Sequence, residues 1–122
     1  MPRINTHYVS GSFDEPVYRA ADAAEMPASV SSGFDRGAFV WRWASPPKEG
    51  GKMCEVLLRL GPASAGSLNA EVGVLASTAS LVPHPPKWRS ISQSTFLTAV
   101  GIDEEWLAEH LGLARKLALT LQ

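Results

Sequence analysis

His7, His84 and His110, Cys54 and several clusters of Asp and Glu are the side chains of this chain that could move a proton, attack an electrophile or hold a metal. A credible zinc site needs ligands at short, characteristic spacings. The histidines are far apart and a lone cysteine cannot form a cluster, so neither a metal nor a cofactor is expected. Cys54 has no cation or histidine near it in sequence to stabilise a thiolate. It falls on the apolar side of an alternating run, which predicts a small buried hydrophobe rather than a nucleophile.

The acids offer no better start. Asp14 with Glu15, Asp22 with Glu25, and Asp103 to Glu105 lie at helix starts or on solvated helix faces, where a carboxylate serves the helix dipole rather than a reaction. Ser45 to Lys48 spells Ser-x-x-Lys, but that chemistry needs both residues on one helical turn and Pro46 and Pro47 forbid it. GPASAG, residues 61–66, lacks the Gly-Lys-Ser/Thr ending of a phosphate loop. No catalytic residue is assigned.

The elements that must position these groups follow from periodicity. A chain of 122 residues with 45% hydrophobic and 19% charged residues reads as one folded domain, 1–122, with 1–12 frayed or an edge strand. Ser12 and Glu15 suggest a capping box, Pro16 fits a first turn, and Phe13, Val17, Ala20, Ala21 and Ala24 form one stripe of a helix ending at Met26. ASVSSG has loop composition. Three alternating runs follow, with Phe39, Trp41 and Trp43, then Cys54, Val56, Leu58 and Leu60, then Ala70, Val72, Val74 and Ala76 on one face. SPPKEGGK suits a hairpin loop between the first two, LVPHPPKWRS an extended crossing, and Ser94 to Val100 a short helix closed by Gly101. The predicted fold is a two-layer α+β domain, a three-stranded antiparallel meander packed against an N-terminal helix and a C-terminal amphipathic helix.

Residues 104–122 admit two readings. Leu107, Ala108, Leu111, Gly112, Leu113 and Leu121 resemble the small-residue, glycine and apolar pattern of a DNA-binding helix-turn-helix. Its reading helix would present only Arg115, Lys116, Thr120 and Gln122 to DNA, with Leu119 misplaced. A single helix capped by Asp103 instead gathers Trp106, Leu107, His110, Leu111, Leu113, Ala114, Leu117, Ala118 and Leu121 in one arc, and this is the reading we favour. His110, the one polar side chain on that arc, is expected to be a neutral imidazole with a hydrogen-bond partner. The alternative is a small enzyme or ligand carrier with an aromatic pocket of Trp41, Trp43, Trp88 and His110.

The other face of the sheet mixes Val40, Met53, Leu57 and Leu75 with Arg42, Glu55, Arg59 and Glu71, too apolar for a solvated face and too charged for a core. It is the candidate partner-binding surface, together with Trp88 and Arg89 from the proline-rich crossing. The competing explanation is that Tyr8 and Val9 fold over it. Eleven Lys and Arg against twelve Asp and Glu give a net charge of −1, which disfavours nucleic acid. No window is apolar enough for a membrane span, and the single cysteine fits a cytoplasmic protein. The element order, with GFDRGAFVWRW leading into the first strand, resembles small bacterial proteins that bind and neutralise a toxin. That resemblance implies a non-enzymatic immunity, inhibitor or adaptor protein whose partner is another protein. A homodimer through the mixed face or the sheet edge is a further expectation.

Overall fold

The computed structural model describes residues 6–27, 30–45, 53–77 and 87–121; for residues 6–12, 45, 53, 77, 87 and 121 only the backbone is described. The elements are α1 (Thr6–Ala23), β1 (Val30–Asp35), β2 (Ala38–Ser45), β3 (Met53–Pro62), β4 (Ser67–Ser77), β5 (Lys87–Leu97) and α2 (Glu104–Leu121). The fold is α+β. Each strand pairs antiparallel with the one before it, giving one sheet in the order β1-β2-β3-β4-β5. SPPKEGGK and Pro83 to Pro86 fall largely or wholly outside the described residues.

The meander therefore has five strands where three were expected. ASVSSG has the serines and glycine of a loop, yet from Val30 onward it is strand β1. Arg36 and Gly37, with φ of 52° and 81°, form a two-residue turn with both central residues left-handed, and Asp35 pairs directly with Ala38. Such a type I′ turn matches strand twist and fixes the register, so hairpin geometry overrides weak propensity. The predicted helix over Ser94 to Val100 is instead the end of β5 and a turn. Ser92, Ser94 and Thr95 lie opposite Val72, Ala70 and Asn69, and an irregularity at Val72/Gly73 shifts the register.

Helix α1 begins at Thr6, so residues 6–12 are neither frayed nor an edge strand, and Tyr8 and Val9 belong to this helix. Pro16 consequently lies inside the helix rather than in its first turn. The helix tolerates one missing N–H because its lower half is pinned to the core by Phe13 and Val17. It ends with Met26 N–H donating to the Ala21 carbonyl while Glu25 takes the left-handed conformation, φ 58°.

Helix α2 runs unbroken through Gly112, so the helix-turn-helix reading has no turn. Asp103 caps it: its Oδ1 accepts from the N–H groups of Glu105 and Trp106 at 3.0 and 3.2 Å. Its buried stripe is Leu107, Leu111, Ala114 and Ala118; Leu113 is exposed, so the apolar arc is narrower than expected.

Both helices lie on the predicted apolar face. Phe39, Trp41, Trp43, Cys54, Val56, Leu58, Leu60, Ala70, Val72 and Val74 form one buried core with Phe13, Val17, Ala20, Ala21 and Ala24 of α1 and the buried stripe of α2. Polar ties set the helices in place. Trp41 Nε1–H, fully inside the core, donates to Asp14 Oδ1 at 3.2 Å. Arg19 donates to both carboxylate oxygens of Glu104, at 2.8 and 3.2 Å, and Arg115 donates to the Ala24 carbonyl at the end of α1.

Candidate protein-binding face

With α1 and α2 on one side, the other face of the sheet is built by alternate residues of all five strands. Ala38, Val40 and Leu57 form a second, smaller cluster, with Leu75 and Trp88 packed against it. Val40 and Leu57 are only 2% and 5% exposed, so they are the floor of this face rather than contact residues in waiting. Met53 opens β3, and its side chain lies outside the described residues.

Charge surrounds that floor. Arg42 sits opposite Leu57 and donates to Asp35 Oδ2 at 3.1 Å, with Glu55 Oε2 3.9 Å from its other terminal nitrogen. These partly exposed pairs orient the guanidinium more than they stabilise the fold, since such pairs contribute at most about 1 kcal/mol. Glu71 accepts from Ser90 Oγ at 3.1 Å and from Gln93 Nε2 at 2.9 Å, both on β5. Arg59, between Val40 of β2 and Glu71 of β4, is half-buried and makes no hydrogen bond or ion pair with any described residue.

Trp88 belongs to this face and Arg89 does not. Trp88 lies opposite Leu75, and its indole rests on the backbone of Gly73, where a side chain would collide with it. Arg89 pairs with Val74, whose side chain is in the helix-side core, so Arg89 projects to the other side of the sheet's β5 edge. The structure thus brings together Arg42, Glu55, Leu57, Arg59, Glu71 and Trp88.

The aromatic pocket is not assembled. Trp41 and Trp43 are interior to the main core, Trp88 is across the sheet, and His110 stacks instead on Trp106 with ring centroids 4.7 Å apart. His110 Nδ1 lies 2.7 Å from the Trp106 carbonyl oxygen; that oxygen can only accept, so Nδ1 carries the proton and Nε2 is the free acceptor in the neutral ring. A cleft of about 340 Å³ does open between β5 and the start of α2, lined by Phe96, Ile102, Asp103 and Trp106 among others. Cys54 is buried and forms no disulfide. Among the described residues no three His, Cys, Asp or Glu side chains converge on a point, and no helix is long and apolar enough to cross a membrane.

The open edge at β1 is a feature that hydropathy patterning does not reveal. Val30 to Phe34 are exposed, and a groove of about 280 Å³ runs beside them, lined by Ser31, Ser32, Gly33, Phe34, Asp35, Val40 and Arg42. The signal that does point to it is Asp35-Arg36-Gly37 between two strand-compatible runs, a hairpin turn that implies a strand on both sides. No protein-family model, curated protein or solved structure matches this chain.

Proposed function

We propose that this chain is a non-enzymatic protein-binding module, of the kind that inhibits or adapts by covering a partner's surface, and that its partner sits on the mixed face of the sheet. The observation that carries this is Arg59. A half-buried guanidinium set between Val40 and Glu71 has already given up part of its hydration, and the neighbouring charges are committed elsewhere: Arg42 to Asp35 and Glu55, Glu71 to Ser90 and Gln93. A carboxylate from a partner would pair with Arg59 without breaking a bond to any described residue, and Trp88 and the rim charges would surround that contact. α2 is less suited to a DNA groove, because Ala114 and Ala118 of the would-be reading segment are in the core.

The test compares tagged wild-type protein with Arg59→Glu and Arg42→Glu, and with Lys116→Glu on the exposed side of α2 as a control. Complexes are recovered from cells that make the protein natively and quantified by mass spectrometry. A partner retained by the control and lost by both face variants, with unchanged thermal unfolding, is the expected result. Equal recovery by all four proteins would overturn the reading.

A further inference from the structure

We infer that the β1 edge is a self-pairing strand that joins two copies of this chain into one continuous sheet about a two-fold axis. This goes beyond the mixed-face reading and does not depend on it.

The β1–β2 turn sets which backbone groups are left over. In a two-residue hairpin the residues flanking the loop, here Asp35 and Ala38, exchange both backbone hydrogen bonds, and the pattern then alternates along the ladder. Asp35, Gly33 and Ser31 therefore bond inward to β2. The N–H and C=O groups of Phe34, Ser32 and Val30 point outward, away from the sheet. Unpaired groups on an edge template another strand unless charge, proline or a bulge blocks them. Val30 to Phe34 contain none of these blocks.

Symmetry then selects the register. In antiparallel pairing across a two-fold axis perpendicular to the sheet, opposed residues must project to the same face, so the axis passes through a residue pair. With the axis at Ser32, Ser32 meets its own copy and Val30 meets Phe34 of the other copy, twice. Every outward-bonding residue then pairs with another outward-bonding residue. Shifting the axis to Gly33 would leave both copies of Val30 without a partner in the described strand.

Side chains agree with this register. Val30 and Phe34 are 36% and 42% exposed, both on the helix side, and Phe34 is already anchored edge-on against Phe39 at 5.5 Å. Across the axis each valine would cover a phenylalanine, a favourable β-branched to aromatic pair. Charges are compatible too: Asp35 of each copy falls at opposite ends of the joint, so no like charges face each other. A single strand pair buries less than a standard interface, so the dimer is weak and concentration-dependent.

The axis keeps faces aligned, so both helix pairs would lie on one side and both mixed faces on the other. Two partner sites would stand side by side, which multiplies binding to a repeated or dimeric partner.

Sedimentation equilibrium of the full chain over a range of concentrations tests this, with Ser32→Pro and Val30→Lys alongside. Ser32→Pro removes one outward N–H; Val30→Lys places a charge against Phe34 of the other copy and spares the backbone if the proline impairs folding. A reversible dimer lost in Val30→Lys, with native circular dichroism retained, supports the inference. A disulfide linking two Ser32→Cys chains but not two Gly33→Cys chains would fix the register, because only the Ser32 axis opposes those positions directly. A wild-type monomer up to about 1 mM, or a Val30→Lys dimer as strong as wild type, would overturn it. Neither result touches Arg59, so the partner reading stands or falls separately.

Discussion

The indole of Trp88 lies so close to Gly73 that a β-carbon built there would stand 2.5 Å from Cη2 of the ring and 2.6 Å from the Arg89 carbonyl oxygen. Gly73→Ala is therefore expected to destabilise the protein by about 1–3 kcal/mol through overpacking, read as a lower urea midpoint with unchanged slope. Trp88→Ala should relieve only part of that cost in the double variant, because the Arg89 carbonyl belongs to the backbone and cannot swing away.

Gly112 gives the opposite sign. It sits inside α2, and a β-carbon added to it would meet nothing within 4 Å. Gly112→Ala should stabilise the fold by about 0.5–1 kcal/mol, by removing backbone freedom from the unfolded chain. A loss of stability would mean that the chain turns at this position after all.

At the end of α1, Glu25 holds a left-handed conformation that strains any residue with a β-carbon, and it sets a negative charge at the negative end of the helix dipole. Glu25→Gly should raise stability by about 0.5–1 kcal/mol in thermal or urea unfolding.

The link between the helices is pH-sensitive. Hydrogen bonds from Arg19 hold the Glu104 carboxyl below the usual glutamate range, opposed by some desolvation and aided by the charge of the same guanidinium. A carboxylate with a depressed folded pKa stabilises the fold above its unfolded pKa and loses that contribution as pH falls through its folded value. The gap in melting temperature between wild type and Glu104→Gln should be present at neutral pH and close below about pH 4. A gap that stays constant across this range would show that the ion pair is inconsequential.

What could be read from the sequence follows the strength of the local signal. Phe39, Trp41 and Trp43, Val56, Leu58 and Leu60, and Ala70, Val72 and Val74 recur at period two, and Val17, Leu107 and Leu111 recur at helical spacing, so the core and both covering helices are legible directly. Strands β1 and β5 are not. Ser31, Ser32, Ser92 and Ser94 have no pronounced apolar alternation, and these segments are strands because an adjoining turn and a neighbouring ladder hold them there. For the same reason the mixed face is legible as a list of residues, while the separation of Trp88 from Arg89 requires the β4–β5 register. Val40 and Leu57 can be placed on that face but not seen to be its buried floor, since burial depends on what Trp88 does across the strands.

Arg19 and Glu104, which tie the two helices together, are 85 residues apart in the chain, whereas the strands pair in sequence order, each with the next. The sheet can therefore zip up hairpin by hairpin as the chain is synthesised, but the Leu58, Val72 and Val74 surface stays bare until α2 follows. At about 5–20 residues per second that interval is a second or more, long enough for a chaperone to intervene. A chain released without α2 would present this protein in its most aggregation-prone form.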